Sequence, residues 1–228
     1  MSARKLALIG YGKMGRMLDG LAGEYGFEVC ARRDVDRPEP LDGADVVIEF
    51  TQPGAVLANI EMAAKLRLPI VVGTTGWPEH LGEVRAMVER YGSGLVWSPN
   101  FSIGVNVFTR LVAEAARLLK DEPGYGAWAW EIHHHTKKDA PSGTLLKLVE
   151  AMRAGGFTRP IDVGSNRAGA HPGTHEIGFD SAADTITLRH SARSREGFAR
   201  GALKAAQWIV GRKGLFEFSD VLFEQRGD

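Results

Sequence analysis

KLALIGYGKMG, residues 5–15, decides the fold. KLALIG is an apolar run of strand length, glycines follow at once, and residues 13–26, KMGRMLDGLAGEYG, then carry apolar side chains at helical spacing. The order is strand, tight turn, helix. Gly10, Gly12 and Gly15 form G-x-G-x-x-G inside that turn, which is the context the motif needs. The first glycine permits the turn, the second lets backbone approach a pyrophosphate, and the third lets helix and strand pack closely. The helix start adds unpaired N–H groups and a positive dipole end. Such a turn also occurs with no ligand; the strand and helix on either side favour nucleotide binding.

Working outward, residues 27–32 (FEVCAR), 45–51 (DVVIEFT), 69–75 (PIVVGTT) and 94–100 (GLVWSPN) read as further strands, with helices over 53–67 and 78–91. Val- and Ile-rich strands alternating with helices imply a Rossmann-type α/β domain, its parallel sheet covered on both faces. One crossover is thin, because only the polar residues 34–44 join the second and third strands. Beyond Asn100 the alternation stops. A helix over 105–120 and strands over 127–134, 175–180 and 184–190 imply an α+β domain with a mixed or antiparallel sheet. A helix over 198–211 and an apolar tail, GLFEFSDVLF, follow. The expected division is residues 1–103 with 197–228, and residues 104–196.

Lys plus Arg and Asp plus Glu number 28 each, so no basic surplus exists to drive binding to a phosphate backbone, and nucleic acid is not an expected partner. The single cysteine, Cys30, closes no intrachain disulfide and belongs to no cysteine cluster for zinc. The N-terminal apolar run, about five residues long and cut by glycine, reads as a strand and not as a signal segment or membrane span. A cytoplasmic protein without a membrane partner is expected.

An acidic residue about 20 positions after the glycines meets the adenosine ribose hydroxyls, and Asp34 sits there. Arg32 and Arg33 precede it; guanidinium groups at this place take the 2′-phosphate of NADP, or else are solvated loop charges. Use of both NADPH and NADH is expected, with a tilt toward NADPH. GTTG at residues 73–76 and SPNFS at residues 98–102 follow the fourth and fifth strands, at the sheet edge where open α/β sheets bind ligands. Either also reads as a plain turn.

From Trp128 an apolar strand runs into three histidines, two lysines and an aspartate, then APSGT and the amphipathic run TLLKLVEAMRAG. Ser142 is a natural N-cap, so Gly143 and Thr144 would offer N–H groups and a helix dipole to an anion such as a carboxylate. Lys137 adds a positive charge, and histidine suits proton transfer near neutral pH. A metal site made of His133, His134 and His135 conflicts with strand geometry, which sends successive side chains to opposite faces.

EIHHHTKKDAPSGT, residues 131–144, resembles the signature of the 4-hydroxy-tetrahydrodipicolinate (dihydrodipicolinate) reductase family. GYGKMG, VVIEFTQP, VVGTTG, SPNFSIGVN, RAGAHPGTHEIGF, TITLRHSARSREGFARGA and GLFEFSDVL extend the resemblance, in order, over nearly the whole chain. It implies reduction of (2S,4S)-4-hydroxy-2,3,4,5-tetrahydrodipicolinate, a cyclic dicarboxylate, to tetrahydrodipicolinate by NAD(P)H in lysine biosynthesis. It implies His133 as catalytic acid/base and Lys137 as proton donor, with His134, Ser142, Gly143 and Thr144 binding substrate. Cofactor contacts are implied for Gly10, Tyr11, Gly12, Lys13, Met14, Gly15, Arg33, Asp34, Gly73, Thr74, Thr75, Ser98, Pro99, Asn100 and Phe101. The first domain would then bind dinucleotide, and the second would bind substrate and build a homotetramer. The other readings are a redox sensor or scaffold of the same fold, and a reductase of another cyclic imine dicarboxylate.

Overall fold

A computed structural model describes residues 3–224; residues 1, 2 and 225–228 of the expected first domain lie outside them. The chain forms two compact units, residues 1–103 with 196–228, and residues 104–195.

The first unit runs β1 (Arg4–Ile9), α1 (Lys13–Leu21), β2 (Phe27–Arg33), β3 (Val46–Glu49), α2 (Pro53–Lys65), β4 (Ile70–Val72), α3 (Leu81–Tyr91) and β5 (Gly94–Trp97). All its strands are parallel. Leu6, Ala7 and Leu8 of β1 are wholly buried, as a strand covered on both faces must be. Leu6 and Leu8 pack with Leu18 of α1 and with Leu203 of the later helix α6 (Glu196–Ile209). Ala7 and Ile9 face the other way, toward Val56 and Ile60 of α2 and Val84 and Val88 of α3. Burying each such Leu or Ile side chain contributes about 1.5–3 kcal/mol. The period-two alternation of one short strand thus serves two cores.

The second unit runs α4 (Ile103–Leu119), β6 (Gly126–His133), α5 (Gly143–Ala154), β7 (Ile161–Arg167), β8 (Thr174–Asp180) and β9 (Thr185–Ser191). Its sheet has the order β7-β6-β8-β9 and is mixed: β7 is parallel to β6, and the other pairings are antiparallel. Ala127, Ala129, Ile177 and Phe179 pack under Phe108 and Val112 of α4 and Leu145, Leu148 and Met152 of α5. Trp128, Trp130 and Ile132 alternate onto the opposite face, where no helix of this unit lies.

After α6, residues 214–217 form β10 (Gly214–Glu217) and residues 218–223 form α7 (Phe218–Phe223). β10 pairs in parallel with β5, so the first sheet has six strands in the order β10-β5-β4-β3-β1-β2. The apolar tail is therefore an edge strand and a short helix. β7 was also not expected: IDVGSNR is polar and holds its place through the ladder to β6, not through apolar periodicity. Among the described residues, no helix is long and apolar enough to cross a membrane.

Candidate active site

In the first unit, β1 lies between β2 and β3, so the crossovers to its two neighbours diverge at its carboxyl end. Open α/β sheets bind ligands at such a point. A cavity of about 450 Å³ opens there, lined by Ile9, Gly10, Gly12, Arg33, Asp34, Phe50, Thr51, Gln52 and Asn59, among others. Gly10 has φ +90°, and a Cβ on it would lie 2.0 Å from the Phe50 carbonyl oxygen. A Cβ on Gly15 would lie 2.2 Å from the Gly10 carbonyl oxygen. These two glycines shape the turn. Gly12, the N-cap of α1, differs: a Cβ there would meet nothing within 4 Å. The space it leaves is open, as a backbone cradle for phosphate requires.

Asp34 accepts hydrogen bonds from the N–H groups of Tyr11 and Val35, each at 2.8 Å. These N–H groups hold its carboxyl below the usual range. Arg33 donates to the Glu39 carbonyl at 2.8 Å and lines the cavity. Arg32 does not line it; its guanidinium grips Asp19 at 2.7 and 2.8 Å, and the Tyr11 hydroxyl donates to the same carboxylate. That pairing lowers the Asp19 carboxyl and raises the guanidinium. Lys13 is exposed, and Met14 packs against the core of α1.

Gly73, Thr74 and Thr75 follow β4, and Ser98, Pro99, Asn100 and Phe101 follow β5, along the same sheet edge but outside the cavity lining. Gly73 has no room for a side chain, since a Cβ would lie 2.1 Å from the Phe50 ring. Thr74 Oγ1 accepts from Thr51 N at 2.7 Å. Ser98 Oγ donates to the Asn100 carbonyl at 2.8 Å, and Phe101 is buried beside Phe50 and Phe218. The side chains of Thr74, Ser98 and Phe101 therefore shape the edge from within. Glu49, not singled out from sequence, is wholly buried at the end of β3 and accepts from Thr51 N at 3.1 Å and Asn59 Nδ2 at 3.3 Å. Burial pushes its carboxyl up.

In the second unit, register lines up a polar row on the helix-covered face. Glu131 of β6 is opposite Ser165 of β7 and His175 of β8, and His175 is opposite His190 of β9. Glu131 is wholly buried. Its Oε1 accepts from Ser142 N at 2.8 Å, Ser165 Oγ at 2.7 Å and Arg167 at 3.0 Å. Its Oε2 takes the Ser142 hydroxyl and lies 3.4 Å from both His133 Nδ1 and His175 Nε2. Burial alone would raise this carboxyl, but the donors of Ser142, Ser165 and Arg167 bring it down to about 2. Glu131, His133 and His175 come close enough together to hold a cation. The donor set argues otherwise, because Oε1 is filled by three donors, a guanidinium among them, and Oε2, which faces both imidazoles, already takes the Ser142 hydroxyl.

His133 ends β6 on the same face, and burial lowers its pKa, an effect Glu131 partly offsets. Burial, and next the neighbouring His133, lowers His175 to about 4. His134 and His135 leave the strand; their Nδ1 atoms bond Thr136 Oγ1 at 2.7 Å and the Gly169 carbonyl at 2.8 Å.

Ser142 caps α5, its Oγ accepting from Leu145 N at 3.2 Å. Gly143 is exposed and Thr144 half-buried in the first turn. Lys137 Nζ reaches Asp139 Oδ1 at 2.7 Å and holds that carboxyl low. Glu131, Ser165, Arg167, His175 and His190 were not singled out from sequence. The one local signal was a glutamate inside an apolar strand, two residues before His133 and hence on its face.

Residues 104–222 match the family model described as dihydrodipicolinate reductase, C-terminus, and residues 36–101 match dihydrodipicolinate reductase, N-terminus. A 4-hydroxy-tetrahydrodipicolinate reductase of Christiangramia forsetii is 33% identical over 95% of this chain and 97% of its own. One from Ralstonia nicotianae is 38% identical over 80% of this chain and 75% of its own. Among solved structures, a dipicolinate-bound dihydrodipicolinate reductase from Paenisporosarcina sp. TG-14 superposes with a TM-score of 0.80 at 21% identity, covering 96% of this chain and all of that one. With both halves matched by the family models and relatives this similar along its length, the chain belongs to the dihydrodipicolinate reductase family.

Proposed function

We propose that this chain reduces (2S,4S)-4-hydroxy-2,3,4,5-tetrahydrodipicolinate to tetrahydrodipicolinate, with the segment of residues 131–144 carrying the chemistry. The observation that carries this reading is the carboxylate of Asp139 held by Lys137 at 2.7 Å, three residues before the Ser142 cap of α5. A carboxylate of the substrate fits the Lys137 ammonium and the N–H groups of Gly143 and Thr144 in the first turn of α5. His134, on the loop next to Lys137, completes the substrate contacts. Ser142 contributes through the helix it caps, because its hydroxyl is spent on Glu131.

The family uses NAD(P)H, and the residues here fit a dinucleotide: Gly12 leaves space where a side chain would stand, and Asp34 waits at the end of β2. Gly10, Tyr11, Gly12, Lys13, Met14 and Gly15 would hold the pyrophosphate end. Arg33 and Asp34 would meet the adenosine ribose. Residues 73–75 and 98–101 would line the nicotinamide end. When bound, the reduced nicotinamide supplies the hydride, delivered at C4 as the hydroxyl leaves as water. Lys137 orients a substrate carboxylate and is the proton donor, and His133 is the acid/base group at the end of β6.

Both NADH and NADPH serve as cofactor. The tilt toward NADPH rests on Arg33 alone, since Arg32 is committed to Asp19. The protein acts in the cytoplasm as a homotetramer built through the sheet face of Trp128, Trp130 and Ile132. Light scattering that gives a monomer at micromolar concentration would remove the tetramer.

The test is an assay with the condensation product of pyruvate and aspartate semialdehyde, following oxidation of NADPH and NADH. Oxidation of either supports the reading. Nucleotide binding without oxidation would favour a redox sensor of the same fold.

A further inference from the structure

The buried carboxylate of Glu131 is placed to do more than fill a polar core. Its Oε1 is saturated by Ser142 N, Ser165 Oγ and Arg167. Its Oε2 faces two imidazoles through different nitrogens, Nδ1 of His133 and Nε2 of His175, both at 3.4 Å. His133 Nδ1 is buried and makes no hydrogen bond, so Glu131 acts on it through charge: a carboxylate only accepts, and at this distance it favours a hydrogen rather than a lone pair on the nitrogen that faces it. His175 Nε2 also lies 3.2 Å from Ser142 Oγ, whose own hydrogen goes to Glu131, so the same nitrogen must carry the hydrogen in both contacts. One buried charge therefore selects opposite tautomers in its two neighbours.

For His133 the consequence falls on the other side of the ring. Nε2 stands over Gly173, where a Cβ would be only 2.9 Å away. The residue at that position adds no side chain in front of the nitrogen. We propose that Glu131 is a positioning residue that fixes His133 as the Nδ1–H tautomer, so that Nε2, kept clear by Gly173, is the nitrogen that exchanges protons with substrate. This rests on the reading of His133 as the acid/base group. The same carboxylate anchors the N-cap of the helix whose first turn receives the substrate carboxylate. Glu131 thereby ties the proton-transfer group and the anion site into one rigid unit, as residues behind a reacting group do elsewhere.

The charged and titratable groups facing His133 are Glu131 on its own strand, Arg167 from β7, His175 from β8, and His134 and Lys137 from the following loop. Only Glu131 favours the imidazolium. Removing its charge must therefore shift His133 titration to lower pH.

Nitrogen-15 NMR of histidine-labelled wild-type protein reads the tautomers directly. Neutral His133 is expected with the proton on Nδ1, and neutral His175 with the proton on Nε2; an Nε2–H tautomer for His133 overturns the proposal. In Glu131→Gln, His133 should titrate at lower pH, kcat should fall on the order of 10²-fold, and KM for the dicarboxylate should rise while dinucleotide affinity stays. Glu131→Asp, which keeps the charge, should restore the His133 titration but not KM. Unchanged titration in a folded Glu131→Gln variant also overturns it. If Glu131→Gln does not fold, the wild-type tautomers decide alone. His133→Ala separates the two readings: turnover surviving there sinks His133 as the acid/base group, whatever its tautomer.

Discussion

Gly173 and His133 are packed so closely that a single methyl at position 173 would lie 2.9 Å from the imidazole Nε2. Gly173 also has φ +136°, a conformation that side-chain-bearing residues rarely adopt. Gly173→Ala should therefore turn or block the His133 ring and cost about 1–3 kcal/mol in backbone strain. Turnover should fall at least about tenfold, equivalent to about 1.4 kcal/mol in the barrier, with dinucleotide affinity intact in the other unit. Wild-type turnover in Gly173→Ala, measured by steady-state kinetics, would show that the space before Nε2 is not used.

The two outer glycines of the first turn and the middle one answer to different constraints. Gly10→Ala must place a methyl 2.0 Å from the Phe50 carbonyl at φ +90°, so it should lower the thermal midpoint by several degrees. Gly12→Ala meets no protein atom within 4 Å and should fold normally, yet weaken dinucleotide binding at least about tenfold, or about 1.4 kcal/mol. Calorimetric titration with NADH and NADPH checks this. Equal affinity for Gly12→Ala and wild type would remove the phosphate from this turn.

Asp34 and Arg33 line the same cavity with opposite charge, and the proposed function makes cofactor choice turn on them. The Asp34 carboxyl is held low by two N–H donors, so it stays ionised at neutral pH and opposes a 2′-phosphate. Asp34→Ala should raise the kcat/KM ratio of NADPH to NADH about tenfold, and Arg33→Ala should lower it by a similar factor. Arg32→Ala should leave the ratio alone and instead destabilise the fold around Asp19. A ratio that follows Arg32 would contradict its assignment.

His175 links stability to pH. Its ordinary value is 6.5, and burial lowers it to about 4 in the folded chain. Between those values the unfolded chain holds the extra proton, so stability falls as pH drops from 6.5 toward 4, by at most about 3 kcal/mol. Below pH 4 both forms are protonated and this contribution falls no further. Hydrogen exchange of the β6 and β8 amides at pH 7 and pH 5 should show the loss, and His175→Gln should lack it. The same pH dependence in the variant would assign it to another group.

Much of this was legible in the sequence because it is local. Short apolar strands, the glycine turn and the Ser142 cap are set by neighbours within a few residues, and each stands where apolar-run and capping rules place it. β10 and β7 were missed for a shared reason: each is held by one partner strand, β5 or β6, and lacks a distinctive apolar pattern of its own. The row through Ser165, Glu131, His175 and His190 depends on register between strands far apart in the chain. No rule of spacing aligns residue 131 with residue 175. Arg32 turned from the cavity because α1 presents Asp19 to it, a pairing invisible in the dipeptide Arg32-Arg33.

Lys137 holds the Asp139 carboxylate at 2.7 Å, three residues before the cap of α5, and is the residue on which the proposed chemistry most directly rests. Single-turnover reduction of 4-hydroxy-tetrahydrodipicolinate by Lys137→Ala, preloaded with NADPH, measures its part in the chemistry free of product release. A rate lower by about 10²–10⁴-fold than wild type, with unchanged NADPH affinity, is the predicted result. A wild-type rate in that variant would contradict the placement of the chemistry in residues 131–144.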